Sequence, residues 1–157
     1  TASVIARYAT VPYLAAAIFT VIVGWNSDRT KERRWHIAGC LLLAAIGFAW
    51  TAVASNIVVA IVAMTFAAMG LWSMMGPFWT LTTSVLGDAA AAAAVAILTT
   101  IGGVGAFLGP YSIGRMRDVT QSFQGGLYAM SGLAIVAALL ALATRAGRRL
   151  SAESSLR

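Results

Sequence analysis

GWNSDRTKERRWH, residues 24–36, carries six charged side chains in a chain that has only 11 Lys and Arg and 5 Asp and Glu in all. On either side of it the sequence is apolar for about the length of a membrane-crossing helix. A bilayer core about 30 Å thick is crossed by roughly 20 apolar residues in a helix, and residues 8–25 and 37–55 both meet that measure. The tract is therefore the hydrophilic junction between two spans. Composition agrees: 60% of the chain is hydrophobic, 10% is charged and the mean hydropathy is +0.84, whereas soluble domains carry roughly 25% charged residues. The expected class is an all-α, polytopic membrane helix bundle.

Three further runs follow at residues 57–86, 89–113 and 127–144, which makes five spans, a polar loop at 26–36 and a tail at 145–157. The third run is too long for one upright span, and Pro77 inside it predicts a kink or break near Gly76-Pro77. The turn at Ser55-Asn56 is so short that the second and third spans must be antiparallel neighbours. Arg29, Lys31, Arg33 and Arg34 lie between the first two spans, and Arg145, Arg148, Arg149 and Arg157 follow the last. Four spans separate the clusters, so they share one side, and the positive-inside rule makes it the cytoplasmic face of a cell (inner) membrane. Arg115, Arg117 and Asp118 then fall outside. The net charge of +6 is explained by topology and anionic lipid, so no nucleic-acid partner is inferred. The chain opens at Thr1 without an initiator Met or a leader pattern, and the expectation is a fragment or processed piece.

Residues 24–30 and 114–120 both read G-x-x-x-D-x-T, three spans apart. An odd number of spans puts the two copies on opposite faces, as in secondary transporters built from inverted three-helix units. At this point the tract GWNSDRTKERR resembles the loop motif of the major facilitator superfamily, roughly G-x-x-x-D-R-x-G-R-R. Residues 76–127, from GPFWTLTTSVLGD to the Gly-rich run and GRMRDVT, resemble the closing helices of its anion:cation symporter family, carriers of organic anions such as sugar acids. The resemblance covers the whole chain. It implies part of a twelve-helix fold, the C-terminal part of a transporter, with an N-terminal half holding the substrate-gripping arginine and the proton-coupling carboxylates. In keeping with that, no ionisable residue lies deep within any of the five spans, where such residues usually mark ion paths.

The resemblance assigns a conformational gate to Gly24, Asp28, Arg29, Arg33 and Arg34. Gly24 would let two helices approach, and Asp28 would face the positive N-terminal end of a helix in the other half. A carboxylate so placed is worth about 0.3 to 1 kcal/mol exposed and up to about 2 partly buried. The bland alternative is a tract that only fixes topology, with Glu32 pairing Arg33 or Arg34. Lys31-Glu32 stands where the motif prefers Gly-Arg. Phe78, Trp79, Thr80 and Thr83 form an aromatic and hydroxylic stretch beside Pro77, suited to a cavity wall for a hydroxylated carboxylate; otherwise Trp79 is interfacial and the threonines serve their own helix. Thr99 is a further candidate for substrate contact. The family pattern carries asparagines where this chain has Thr99 and Gly103, which implies a roomier or less polar pocket. Gly105, Gly109, Pro110 and Gly114 are candidates for close helix packing and sliding, or for static packing.

His36, beside Trp35, reads as an interfacial anchor, and Met64, Met69, Met74 and Met75 read as packing residues. Cys40 is the single cysteine, and no nucleophile set, phosphate loop or metal-ligand spacing is present in the sequence, so no enzyme, metal or cofactor is inferred. The expected function is proton-coupled uptake of a small organic anion by alternating access, with protons, the bilayer and the N-terminal half as partners. A non-transporting five-span scaffold is the alternative. A reading frame extending well upstream of Thr1 favours the carrier.

Overall fold

The computed structural model describes residues 2–86 and 88–144; the tail 145–157, with Arg145, Arg148, Arg149 and Arg157, lies outside the described residues. Six helices follow one another: α1 Ala2–Thr30, α2 Arg33–Ala52, α3 Ile57–Ser73, α4 Met75–Val85, α5 Asp88–Thr120 and α6 Gln124–Ala143. Among the described residues there is no strand. α3 and α4 together form one crossing, so five apolar helices are long enough to span a bilayer.

The interruption at Met74 lies on the N-terminal side of Pro77, for a local reason. Proline has no N–H to give the carbonyl four residues back, here that of Ser73, and its ring crowds that carbonyl. The ladder stretches at Met74, whose N–H reaches the Gly70 carbonyl at 3.3 Å, and recovers when the Phe78 N–H reaches Met74 at 2.9 Å. Ser73 is fully buried there, and its hydroxyl lies 3.2 Å from that of Thr20 on α1. A polar pair thus ties α1 to the interruption.

The polar loop expected at 26–36 shrinks to Lys31 and Glu32. α1 runs on to Thr30 because its end is set by a cap and not by hydropathy. Lys31 turns the chain through the left-handed region at φ 55°, and its N–H closes on the Ser27 carbonyl at 2.9 Å. α5 likewise continues past the expected limit of residue 113, through Pro110, to Thr120. α3 starts on an Asn56 cap whose side-chain oxygen accepts the Val59 N–H at 2.9 Å.

α2 is the hub, packed on α3 and α6, while α1 lies along α3. The α2–α3 crossing is a backbone contact. A Cβ on Gly47 would stand 2.8 Å from the Ala63 carbonyl oxygen, and one on Gly70 would stand 2.6 Å from the Ala44 nitrogen. With lipid as apolar as leucine, such approach lets dispersion and carbonyl contacts hold the pair. Small residues therefore line it, with Ala44, Ala63 and Ala67 buried. On the other side of α2, the buried Ser131 hydroxyl of α6 donates to the Ala45 carbonyl at 2.8 Å. α5 stands apart: half of the α2 span is buried, against 0% of the α5 span.

Candidate functional site

Apart from Thr99, Gly105, Gly109, Pro110 and Gly114 on α5, the candidate residues lie on two neighbouring pieces: the junction of α1 with α2, and the short helix α4. Arg33, at the first turn of α2, connects them. Its guanidinium lies 4.0 Å from the Asp28 carboxylate of α1 and donates through Nη1 to the Thr80 carbonyl of α4 at 3.2 Å. Arg34 reaches the other way and donates to the Thr144 carbonyl beyond α6 at 2.8 Å. Adjacent arginines thus brace the end of α1, the middle of α4 and the end of α6 around the start of α2.

The bonds differ in worth. Asp28 is 72% exposed, and an ion pair so wet and long contributes about 0 to 1 kcal/mol. Arg33 is only 24% exposed, and a hydrogen bond from a charged donor is worth about 1.5 to 3 kcal/mol. The carbonyl of Thr80, and not Asp28, is the firmer anchor. Asp28 stays available to another partner. Just beneath it the Ser27 hydroxyl is buried and unpartnered, as is Nε of Arg33.

The remaining gate candidates separate. Arg29 is exposed and lies over the Trp25 ring at 5.7 Å, a contact that holds it on its own helix. Glu32 makes no ion pair among the described residues; its backbone carbonyl instead lies 2.8 Å from Nδ1 of His36. A Cβ on Gly24 would meet nothing within 4 Å, so no described helix approaches there.

On α4, Phe78 and Trp79 pack edge to face with centroids 5.1 Å apart. Phe78 also packs against the cluster of Ile37, Leu41 and Ala138, which anchors this aromatic pair in the bundle. The Thr80 hydroxyl donates to the Gly76 carbonyl at 2.8 Å and that of Thr83 to Trp79 at 3.0 Å. Thr99, exposed on α5, donates to Val95 at 2.7 Å. All three hydroxyls serve their own helices in this structure. Each would have to rotate before donating to a carboxylate.

The glycines expected to pack α5 are open. A Cβ on Gly105 or Gly114 would meet nothing within 4 Å, and one on Gly109 would make ordinary contact with Cε of Met130 at 3.6 Å; Pro110 is exposed. Close approach occurs instead at Gly47 and Gly70, which the sequence reading passed over. The missed signal was the small residues at helical spacing on both partners. Where α5 touches α6, Ile113 fills the space a Cβ on Gly126 would take. No group of acidic, His or Cys side chains able to hold a metal occurs among the described residues.

Five long apolar helices, held by small-residue crossings and interhelical hydroxyl bonds, define a multi-pass membrane protein. Residues 3–110 match the profile described as the Major Facilitator Superfamily, and the chain belongs to that family. A putative tartrate transporter of Agrobacterium vitis is 41% identical over 84% of this chain and 29% of its own length. The inner membrane transport protein RhmT of Escherichia coli K12 is 33% identical over 94% of this chain and 34% of its own. A quinolone resistance transporter of Acinetobacter baumannii is 30% identical over 77% and 28%. The chain thus spans about a third of the length of the curated relatives it matches. Each is named as a transporter. No solved structure matches the chain significantly.

Proposed function

We propose that this chain is the C-terminal part of a secondary transporter of the anion:cation symporter family. It would take up a small organic anion, a sugar acid or related carboxylate, together with protons, by alternating access. The observation that carries the reading is the 41% identity to a relative named for tartrate. The interruption at Met74 supports it. That break puts Trp79 and Thr80 on a short helix joined to the rest of its span by a weakened ladder, and an irregular helix at membrane depth is tolerated where it meets protein or water. On this reading Phe78 and Trp79 are the aromatic wall, with Thr80, Thr83 and Thr99 supplying hydroxyls after rotation. Asp28, with Arg29, Arg33 and Arg34 about it, latches the cytoplasmic face against the N-terminal half, and the tail is cytoplasmic. Gly24, Gly105, Gly109, Pro110 and Gly114 meet helices of that half.

The test is equilibrium binding to the product of the complete reading frame, purified in detergent, with tartrate, hexonates, an aromatic carboxylate and a quinolone as probes. Saturable binding of a carboxylate, weakened about tenfold or more in Trp79→Ala, is expected. Binding of the quinolone alone would move the reading to an amphiphilic drug, as the name of the 30% identical relative suggests. Binding of none would leave the non-transporting scaffold.

A further inference from the structure

α1 and α5 end in the same way, beyond their shared G-x-x-x-D-x-T. The Thr30 hydroxyl donates to the Asn26 carbonyl at 2.9 Å, and the Thr120 hydroxyl donates to Met116 at 2.7 Å. The next residue in each case is not glycine, yet takes the left-handed conformation: Lys31 at φ 55° and Gln121 at φ 54°. Their N–H groups close on Ser27 at 2.9 Å and Arg117 at 2.7 Å. These are the two positive-φ residues other than glycine among those described.

The ends lie on opposite faces of the bundle. The α1 end shares its face with the Arg33 bond to Thr80 and the Arg34 bond to Thr144. The α5 end lies one crossing away from Val85, beside the start of α6, where Ile113 meets Gly126. Each end also holds a carboxylate in an unfavourable place. Asp28 and Asp118 are both exposed, two residues before the helix terminus, whose partial negative charge repels them. Asp28 has Arg33 at 4.0 Å. Asp118 makes no ion pair among the described residues, and neighbouring Arg117 is engaged over the Phe123 ring at 4.8 Å. The caps are ordinary helix ends, but a local stability role does not account for a carboxylate repelled by its own helix terminus and recurring in one register. A partner that meets the carboxylate from outside does.

We infer that Gly114–Thr120 is a second latch, on the membrane face opposite Gly24–Thr30. When that face closes, Asp118 docks on the positive N-terminal end of a membrane helix lying outside residues 1–157. Two facts favour this occupant: the α5 span is 0% buried, and the chain covers only 28–34% of the lengths of the relatives named above. The inference rests on reading Asp28 as the first latch.

The experiment uses the product of the complete reading frame in sealed vesicles of known orientation, with its other cysteines replaced. Single cysteines at Glu32 or Ser122 report each face by labelling with a membrane-impermeant thiol reagent. Asp118→Asn is expected to raise labelling at 122 relative to 32 by roughly two- to five-fold, the ratio set by an exposed carboxylate at a helix terminus. Asp28→Asn is expected to shift the ratio the other way, and Asp118→Glu to keep the parent ratio. An unchanged ratio in Asp118→Asn, a shift in the direction of Asp28→Asn, or the same shift in Asp118→Glu overturns the second latch. An inert Asp28→Asn overturns the first latch by itself. A protein that shifts as expected but binds no carboxylate loses the substrate reading and keeps this one.

Discussion

At Lys31 the backbone and the family motif explain each other. The position where the motif prefers glycine is the one that takes φ 55°, a conformation that disfavours a side chain by roughly 1 to 2 kcal/mol. Lys31→Gly removes that strain, and the thermal midpoint in detergent is expected to rise by an amount equivalent to about 1 kcal/mol; a lower midpoint contradicts the cap. Beside it, Arg33 and Asp28 separate on magnitude. Arg33→Ala gives up the bond to Thr80 and is expected to cost about 2 kcal/mol. Asp28→Asn gives up a wet contact at 4.0 Å and is expected to cost under about 1. Equal losses in thermal unfolding would mean that the Asp28 pair, and not the Thr80 carbonyl, anchors the junction. The sequence made Asp28 and Arg29 conspicuous but could not rank Arg33 above Arg29, because which arginine points into the bundle depends on the register of α2.

For the helices, the crossings were legible and their ends were not. Hydropathy finds where lipid contact stops, but α1 and α5 continue past that limit until a left-handed residue stops them, so the expected loop at 26–36 is nearly all helix. Pro77 announced the interruption in the third span, and its loss of the Ser73 bond fixes the side on which it falls. Pro77→Ala restores that donor, and the variant is expected to be at least as stable while its turnover drops several-fold, if a pliant α4 takes part in transport. Unimpaired turnover would make the interruption incidental. Within the described residues Gly105 and Gly114 have no neighbour, for a physical reason: a small residue permits approach but does not name the neighbour. Gly47 and Gly70 have backbone against them, whereas Gly105 and Gly114 have open space. Gly47→Leu or Gly70→Leu forces α2 and α3 apart and is expected to cost at least about 1 to 3 kcal/mol, read as loss of the folded fraction after detergent extraction. Retained folding in both would contradict the backbone crossing.

Across the whole molecule, the six helices form a densely packed group, α1 to α4 with α6, and a loosely attached α5 whose apolar length faces outward. On the proposed reading, that uncovered, small-residue-rich face of α5 is the one that meets the N-terminal half. The proposed anion site is divided in the same way, with Trp79 and Thr80 on α4 and Thr99 on the loosely held α5. Composition and span counting made the membrane class legible in the sequence. The substrate was not, because the hydroxyls that would grip it are satisfied within their own helices. The most direct measurement is uptake of labelled tartrate and hexonates by proteoliposomes holding the product of the complete reading frame, with an imposed inward proton gradient. The expected result is accumulation that collapses when the gradient is dissipated and falls at least tenfold in Trp79→Ala. Uptake of none of these acids above empty vesicles, with the protein folded and inserted, would contradict the proposed carrier.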